Sequence, residues 1–140
     1  MTDASEAEMR TLLDVETIAV VGCSATPGKA AHDVPAYLQN QGYDIVPINP
    51  NREEVLGRRA YDSLAEVSER VDLVDVFRPS EEVSTIVDAV LKRVQRRDDV
   101  RGLWLQLGIR DDAAAARARD AGLTVVQDRC LKVEHGRLRD

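Results

Sequence analysis

The residues best suited to bind a charged ligand follow the first apolar run of the chain, in the stretch VVGCSATPGK at residues 20–29. Gly22 permits a tight turn, and the amides of Cys23 and Ser24, with the start of a following helix, form an anion-binding nest. Ser24 also places a hydroxyl where a dinucleotide-binding fingerprint has its second glycine, and Lys29 adds a flexible ammonium. This pattern predicts a phosphate-binding turn, and a plain tight turn with a solvated lysine is the alternative.

Asn49 and Pro50 follow the second apolar run, at the position that decides between nucleotide cofactors. An NAD site normally has an aspartate or glutamate there, because a carboxylate binds the two free ribose hydroxyls. The neutral amide of Asn49 does not repel a phosphorylated ribose, which coenzyme A and NADP carry and NAD lacks. The pair therefore favours coenzyme A as the ligand, and NADP is also compatible with it. In a third interpretation, Asn49 and Pro50 bind no ligand and only terminate the strand.

Phe77 and Arg78 follow the third apolar run and place an aromatic ring beside a guanidinium. Phe77 is the only phenylalanine in the chain, and at a strand end its ring could stack on adenine or cover a pantetheine arm. Arg78 offers a planar, permanently charged fork that fits a phosphate. In the alternative interpretation Phe77 belongs to the core, and Arg78 pairs with Glu81 or Glu82 on the next helix.

The fourth apolar run is followed by Gln106 and Gly108, which complete a set of unusual residues at strand ends. We predict that one cofactor site draws on all of them, namely Gly22, Cys23, Ser24, Lys29, Asn49, Pro50, Phe77, Arg78, Gln106 and Gly108. The spacing of histidines, cysteines and carboxylates matches neither a metal site nor a catalytic triad, so we predict no metal ligand and no catalytic residue.

Five short apolar runs rich in β-branched residues predict the strands that position this site. The first begins at Ile18, and the others cover residues 43–49, 73–77, 102–107 and 123–127. Helical patterns lie between them at residues 34–41, 80–94 and 111–121, with shorter ones at 5–13 and 63–70. Alternation of this kind predicts an α/β fold, a doubly wound five-stranded parallel sheet in strand order 3-2-1-4-5 with helices on both faces.

The edge of this sheet explains why the four strand ends belong together. In doubly wound sheets, ligands bind beyond the carboxyl ends of the strands, at the point where the strand order reverses. The polar residues that follow the predicted strands all lie at that edge. We therefore expect a single site there.

Cys23 and the segment DRCLKVEHGRL at residues 128–138 hold the other reactive groups. A helix N-terminus beside Cys23 would favour its thiolate, which would allow disulfide exchange with a thiol ligand. We interpret the segment as a closing element in which Cys130 and Val133 pack inward, and its surface ion pairs involve Arg129, Lys132 and Glu134. An active-site segment around Cys130 is the alternative.

Length and charge bound the class of protein. A chain of 140 residues fits one domain, which we assign to residues 1–140 with residues 1–12 as an N-terminal helical extension. A net charge of −6 argues against a nucleic acid partner, and no apolar run approaches the roughly 20 residues that cross a bilayer. The acidic start of the chain lacks the features of a signal peptide, so we expect a cytoplasmic location.

Six stretches within residues 18–138 follow the order found in a known family: VVGCSATPGK, YDIVPINPN, VLGRRAYDSL, VDLVDVFRP, LWLQLGI and AGLTVVQDRCLKVEH. With these motifs the sequence resembles the small stand-alone CoA-binding proteins, whose domain is similar to the CoA-binding domain of the succinyl-CoA synthetase α subunit. The resemblance implies a Rossmann-like domain that binds coenzyme A. It implies the pyrophosphate at residues 22–24, the adenosine end near residues 49–50 and further ligand contacts from residues 77–78.

The resemblance to the synthetase stops at this domain, because its phosphorylated histidine loop and nucleotide-grasping subunit have no room in 140 residues. We therefore expect a non-catalytic protein that binds CoA or an acyl-CoA as a carrier, a sensor or a partner module, with a second protein or a second copy as its partner. An NAD(P)-binding oxidoreductase-like protein is the main alternative. A structural protein with an occluded first turn is a third.

Overall fold

The structure is a computed structural model that describes residues 4–139. Its α-helices are α1 (Glu6–Leu13), α2 (Ala30–Asn40), α3 (Val83–Arg96), α4 (Asp112–Asp120) and α5 (Leu131–Leu138). Its strands are β1 (Thr17–Val21), β2 (Asp44–Ile48), β3 (Glu54–Val55), β4 (Arg58–Arg59), β5 (Leu73–Val76), β6 (Gly102–Leu105) and β7 (Thr124–Val126). Of the predicted helical extension 1–12, residues 1–3 lie outside the described residues. No helix in the described part of the chain has the length and apolar character that a membrane crossing requires.

The strands form a parallel five-stranded sheet in the order β2-β1-β5-β6-β7, and β3 and β4 form a separate antiparallel hairpin. The doubly wound parallel sheet predicted from the sequence is therefore confirmed. Counted in chain order, its five strands are arranged 2-1-3-4-5, because β5 pairs directly with β1. This corrects one detail of the predicted order 3-2-1-4-5, which places β5 beyond β2.

The outer edge of β2 explains the position of β5. Tyr61 pairs with Ile48 along that edge, and the backbone N–H of Tyr61 donates to the carbonyl of Pro47 at 3.0 Å. With this side occupied, β5 lies inside the sheet, where all four of its residues are buried between the two helical layers. The strand order therefore reverses between β1 and β5, and the crevice expected of such a sheet lies at the ends of these two strands.

Two apolar clusters cover the faces of the sheet. On one face, α3 and α4 pack through Val83, Val87, Val90, Ala114, Ala115 and Ala118. On the other, α1, α2 and α5 pack through Met9, Leu12, Val34, Leu38, Leu131 and Leu138. Trp104 is fully buried in this second cluster, and its indole N–H donates to the carbonyl of Arg129 at 2.9 Å. Helices on both faces agree with the prediction.

α2 begins at Ala30, earlier than the predicted start at residue 34. Pro35 therefore lies inside the helix, where it has no N–H to donate to the carbonyl of Ala31. That carbonyl accepts instead from the backbone N–H of Ser24 at 2.9 Å. Because of the proline, the carbonyl of Ala31 is free to bind Ser24 and so connects α2 to the turn after β1.

The ends of three other helices agree closely with the sequence patterns. Ser5 and Glu8 form a reciprocal capping box at the start of α1. The carboxylate of Asp111 accepts from the backbone N–H of Ala114 at 3.0 Å and so caps α4. The helix predicted from residue 80 starts as the 3₁₀ turn Ser80–Glu82 and continues as α3.

The prediction of a short helix at residues 63–70 is wrong, because the only helical structure in this range is a 3₁₀ turn at Leu64–Glu66. Arg93 of α3 and Arg97, directly after this helix, donate to backbone carbonyls of this loop, those of Leu64, Val67, Ser68 and Glu69. Carbonyls that are satisfied by guanidinium groups need no helical partner. These contacts hold the loop in an irregular conformation, and the side chains of Leu64 and Val67 are buried.

The closing segment forms α5, which reverses two predicted side-chain positions. Glu134 is buried and accepts from Nη2 of Arg137 at 2.7 Å, whereas Val133 is 59% exposed. The expectation that Val133 packs inward and Glu134 lies on the surface is therefore wrong. The physical reason is helical spacing, which places Glu134 on the same face as Leu131 and Leu138.

Candidate ligand-binding cleft

An open cleft of about 530 Å³ lies beyond the carboxyl ends of β1, β2 and β5. Its lining contains eight of the ten predicted site residues, namely Gly22, Cys23, Ser24, Lys29, Asn49, Pro50, Phe77 and Arg78. It also contains residues that were not predicted as site residues, namely Val21, Ala31, Ile48, Asn51, Asp62, Glu82 and Ile86. The volume is typical of small-molecule sites, and the position is the one that a doubly wound sheet favours.

Gly22 makes the turn that opens the cleft. Its φ of +86° lies in the left-handed region, and its N–H donates to the carbonyl of Ile48 at 3.0 Å. A Cβ at this position would lie 2.8 Å from Cδ of Arg78. The glycine is therefore required both by the backbone conformation and by the close passage of the arginine stem.

The donors that face the cleft differ in part from those predicted. The N–H of Ser24 is already bound to Ala31, so it does not contribute to an anion nest. Within residues 4–139, the N–H groups of Cys23 and Ala31 have no acceptor, and both residues line the cleft. The Ser24 oxygen accepts from the N–H of Thr26 at 3.0 Å, which leaves its hydroxyl proton available to a ligand. The Ser24 amide is therefore excluded from the predicted nest, and the Ala31 amide is the candidate donor in its place.

Lys29 places a cation at the start of α2. It is the N-cap residue of the helix, it is exposed, and it lines the cleft. Its ammonium makes no ion pair in the part of the chain that the structure describes. Because the helix dipole also favours anions at this end, the lysine and the first amides of α2 attract the same kind of ligand group.

Asn49 shapes the cleft through bonds to its walls. Its side-chain nitrogen donates to the carbonyl of Cys23 at 2.9 Å, and its side-chain oxygen accepts from the N–H of Asn51 at 2.8 Å. Both ends of the amide are thus engaged within the protein, and the turn after β1 is tied to the turn after β2. Pro50 is exposed beside it, and the carboxylate of Asp62 adds a negative charge at the lining of the cleft.

Phe77 and Arg78 combine the two interpretations that the sequence left open. Phe77 is half-buried, packs against the second cluster and also lines the cleft. Arg78 also lines the cleft, and it pairs with Glu82 through Nε to Oε1 at 3.1 Å and Nη2 to Oε2 at 2.7 Å. Hydrogen bonding between them raises the pKa of the Arg78 guanidinium and lowers the pKa of the Glu82 carboxyl.

Cys23 borders the cleft but is fully buried as a residue. The thiol is fully buried in the second cluster, where burial and, to a lesser degree, Asp75 raise its pKa to about 12. The expectation that the helix N-terminus favours a thiolate is therefore wrong, because desolvation outweighs the helix dipole. Cys130, partly buried against the same cluster, packs inward as predicted.

Asp75 is a buried charge-bearing group that lies next to this site but outside its lining. It is fully buried in β5, and neither carboxylate oxygen has a hydrogen-bond partner within residues 4–139. Burial raises the pKa of its carboxyl well above the usual range, and the nearby N–H of Val76 offsets only part of this effect. The carboxyl is therefore held in its protonated form over a wide pH range.

Gln106 and Gly108, the remaining two predicted residues, lie away from the cleft lining. Gln106 is buried, and its side-chain oxygen accepts from the N–H of Leu131 at 3.1 Å, at the start of α5. Gly108 is exposed, and its N–H donates to the carboxylate of Asp128 at 2.6 Å. The strand order explains this separation, because β5 stands between β6 and β1.

Groups suited to a metal ion are not assembled in the described chain. Among residues 4–139, no three histidine, cysteine or carboxylate side chains come together in a way that could hold a metal. The cleft therefore offers two kinds of interaction: backbone and side-chain donors for anions, and an apolar wall formed by Ile48, Phe77 and Ile86.

Comparisons with known proteins agree on the kind of domain. The sequence model of the protein family described as "CoA binding domain" matches residues 16–136. The uncharacterized protein YneT of Bacillus subtilis is 36% identical over 136 residues, which cover 96% of this chain and 97% of that protein. A solved structure of a Thermus thermophilus protein superposes with a TM-score of 0.88 at 40% identity, covering 96% of this chain and 99% of that one.

A second group of relatives is much longer than this chain. The alpha subunit of acetate–CoA ligase (ADP-forming) II from Pyrococcus furiosus is 36% identical over 80 residues. That match covers 56% of this chain and only 18% of the subunit. The shared part is thus one segment of a larger enzyme.

Proposed function

Because the chain belongs to the CoA-binding domain family, we propose that its cleft binds coenzyme A or an acyl-CoA. The observation that carries the proposal is the convergence of anion-binding groups at the point where strand order reverses. These groups are the unpaired amide of Ala31, the hydroxyl of Ser24 and the cations of Lys29 and Arg78. The family assignment also confirms the resemblance to CoA-binding proteins that the motifs indicate.

The ligand's orientation follows from the chemistry of the walls. We place the pyrophosphate at the turn of residues 22–24 beside Ala31, where the unpaired N–H of Ala31, the Ser24 hydroxyl and the helix dipole favour negative charge. The adenosine end then points toward Asn49 and Pro50, and the pantetheine arm crosses the apolar wall that includes Phe77. Under this proposal Asn49 acts by holding the turns in place, because both ends of its amide are already engaged.

We infer a binding role without chemistry on the ligand. The thiol nearest the turn is Cys23, and its raised pKa and complete burial keep it protonated and out of reach. The residues that line the cleft offer hydrogen-bond donors, charges and apolar contacts. A carrier, a sensor or a partner module for another protein uses all of these and requires no nucleophile.

The direct test is whether CoA stabilises the protein and whether Arg78 is needed for it. We expect CoA and acetyl-CoA to raise the Tm, with about 2.7 kcal/mol of added stability when the ligand is at a hundred times its Kd. Arg78→Ala should weaken binding about ten- to hundredfold, because it removes a charge-assisted hydrogen-bond partner of a phosphate. Isothermal titration calorimetry gives the affinities.

Arg96→Ala is the matched control, since it removes the same charge from an exposed position of α3 that does not line the cleft. NADPH is the comparison ligand. If neither CoA nor acetyl-CoA shifts the Tm at millimolar concentration, or if NADPH alone does, the proposal is refuted.

A further inference from the structure

The guanidinium of Arg78 is already occupied by a carboxylate in this structure. Glu82 binds it through two parallel contacts, of 3.1 and 2.7 Å. Glu82 is itself part of the cleft lining, so the pair lies at the site and not on a remote surface. A ligand that enters the cleft therefore finds the Arg78 guanidinium already hydrogen-bonded to Glu82.

The geometry of this pair matches the geometry that a phosphate would require. A guanidinium binds a carboxylate and a phosphate through the same two parallel N–H donors, so the two acceptors compete for one position. The stem of Arg78 passes against Gly22, where Cδ lies 2.8 Å from the position that a Cβ would take. The stem thus runs along the turn after β1, and the head group lies at the cleft lining beside Glu82.

The charge of the cleft leads to the same conclusion. Two cations, Lys29 and Arg78, line it together with two carboxylates, Asp62 and Glu82. While Arg78 is paired, Lys29 is the one lining cation that makes no ion pair within residues 4–139. A ligand phosphate gains the Nε–Nη2 edge of the second cation only by taking the place of Glu82.

We propose that Glu82 is an internal competitor which must release the Nε–Nη2 edge of Arg78 before a ligand phosphate can bind there, and that this competition lowers the affinity of the cleft for phosphorylated ligands. The inference rests on the proposed CoA function and adds to it a residue that controls ligand charge. Glu82 thus favours ligands with enough negative charge to displace a carboxylate.

The pair is suited to exchange. Both side chains are about half exposed, at 48% and 44%, so water can solvate each partner as it separates. Glu82 ends a single 3₁₀ turn before α3, and its side chain caps no helix. Exposed pairs of this kind are weak, so that removing the competitor should tighten binding only about two- to fivefold.

Glu82→Gln tests the proposal, because it keeps the shape of the side chain and removes its charge. Glu81→Gln is the matched control, since Glu81 is the exposed neighbour, has the same charge and does not line the cleft. We expect calorimetric titration with CoA at low salt to show about two- to fivefold tighter binding for Glu82→Gln, beyond any gain for Glu81→Gln.

The mechanism is tested in an Arg78→Ala background. There Glu82 has no guanidinium to hold, so the additional gain of Glu82→Gln over Glu81→Gln should disappear. If wild-type protein binds CoA and Glu82→Gln equals Glu81→Gln, the competition is refuted while the CoA function stands. A gain that persists without Arg78 also refutes it, because Glu82 then acts by simple repulsion. If neither wild type nor Glu82→Gln binds CoA, both the function and this inference are overturned.

Discussion

Gly22 allows both a left-handed backbone conformation and the close approach of the Arg78 side chain. A substitution at this position should therefore affect the stability of the fold and the binding of a ligand to different degrees. Its φ of +86° strains any other residue, and a Cβ would meet Cδ of Arg78 at 2.8 Å. Because the arginine side chain is exposed and flexible, it can move away, so the overlap should displace Arg78 more than it destabilises the fold. The effect on ligand binding should therefore exceed the effect on folding.

Gly22→Ala is expected to lower the free energy of unfolding by about 1–2 kcal/mol, the cost of a left-handed non-glycine residue, and also to weaken CoA binding. Gly42→Ala is the control, because Gly42 has a φ of +103° with open space around its Cβ position. It should lose similar stability in urea titrations and keep wild-type affinity. Equal affinities for the two variants would contradict the displacement of Arg78.

Among the secondary-structure elements, α2 is connected to the cleft by an effect of Pro35. Pro35 has no N–H, so the carbonyl of Ala31 is free to accept from Ser24. The helix thereby fixes the turn after β1 before any ligand arrives. A preordered turn spares the ligand the entropy loss of ordering it.

Pro35→Ala supplies a new N–H that competes with Ser24 for the carbonyl of Ala31. Amide exchange at Ser24 should become faster, and CoA binding should weaken about two- to tenfold, the cost of ordering a loop on binding. The Tm should not fall, because alanine is a better helix residue than proline. Asn40→Ala, at the exposed end of α2, changes the same helix without touching Ala31. Unchanged exchange at Ser24 in Pro35→Ala would disprove the role of the proline.

For the molecule as a whole, Asp75 makes the free energy of unfolding decrease as the pH rises, which is opposite to the usual effect of a carboxylate. Its carboxyl is fully buried without a hydrogen-bond partner in the described chain, and burial raises its pKa. The unfolded chain loses this proton near pH 4, whereas the folded chain keeps it. Stability contributed by Asp75 is therefore complete below about pH 4 and is lost as the pH rises toward the folded pKa.

Asp75→Asn removes this titration and keeps the size of the side chain. Relative to wild type, the variant should gain up to about 1.4 kcal/mol per pH unit above pH 4, until the folded pKa is reached. Urea denaturation at several pH values measures the difference, in which the contribution of His135 cancels. Burial and Arg139 lower the pKa of that histidine, so its contribution is lost as the pH falls. Asp120→Asn, exposed on α4, is the control for losing one carboxylate. A difference that does not change with pH would show that Asp75 titrates normally.

Local sequence patterns were sufficient to predict the strands, most helices and the turn after β1. Apolar runs, glycines at helix ends and caps such as Asp111 act over a few residues, so local patterns record them. The same patterns placed eight of ten predicted residues around one cleft, because parallel strands bring their carboxyl ends to one edge.

Three features depend on tertiary contacts and could not be predicted from local patterns. They are the strand order, the backbone N–H groups left unpaired at the cleft, and the burial and ion pairing of the charged side chains. Tyr61 occupies the edge of β2, which moves β5 beside β1 and leaves Gln106 and Gly108 outside the cleft. The closing segment follows helical spacing, which buries Glu134. Each of these features depends on contacts between residues far apart in the chain or on desolvation in a packed core. A short stretch of sequence contains no information about either of these effects.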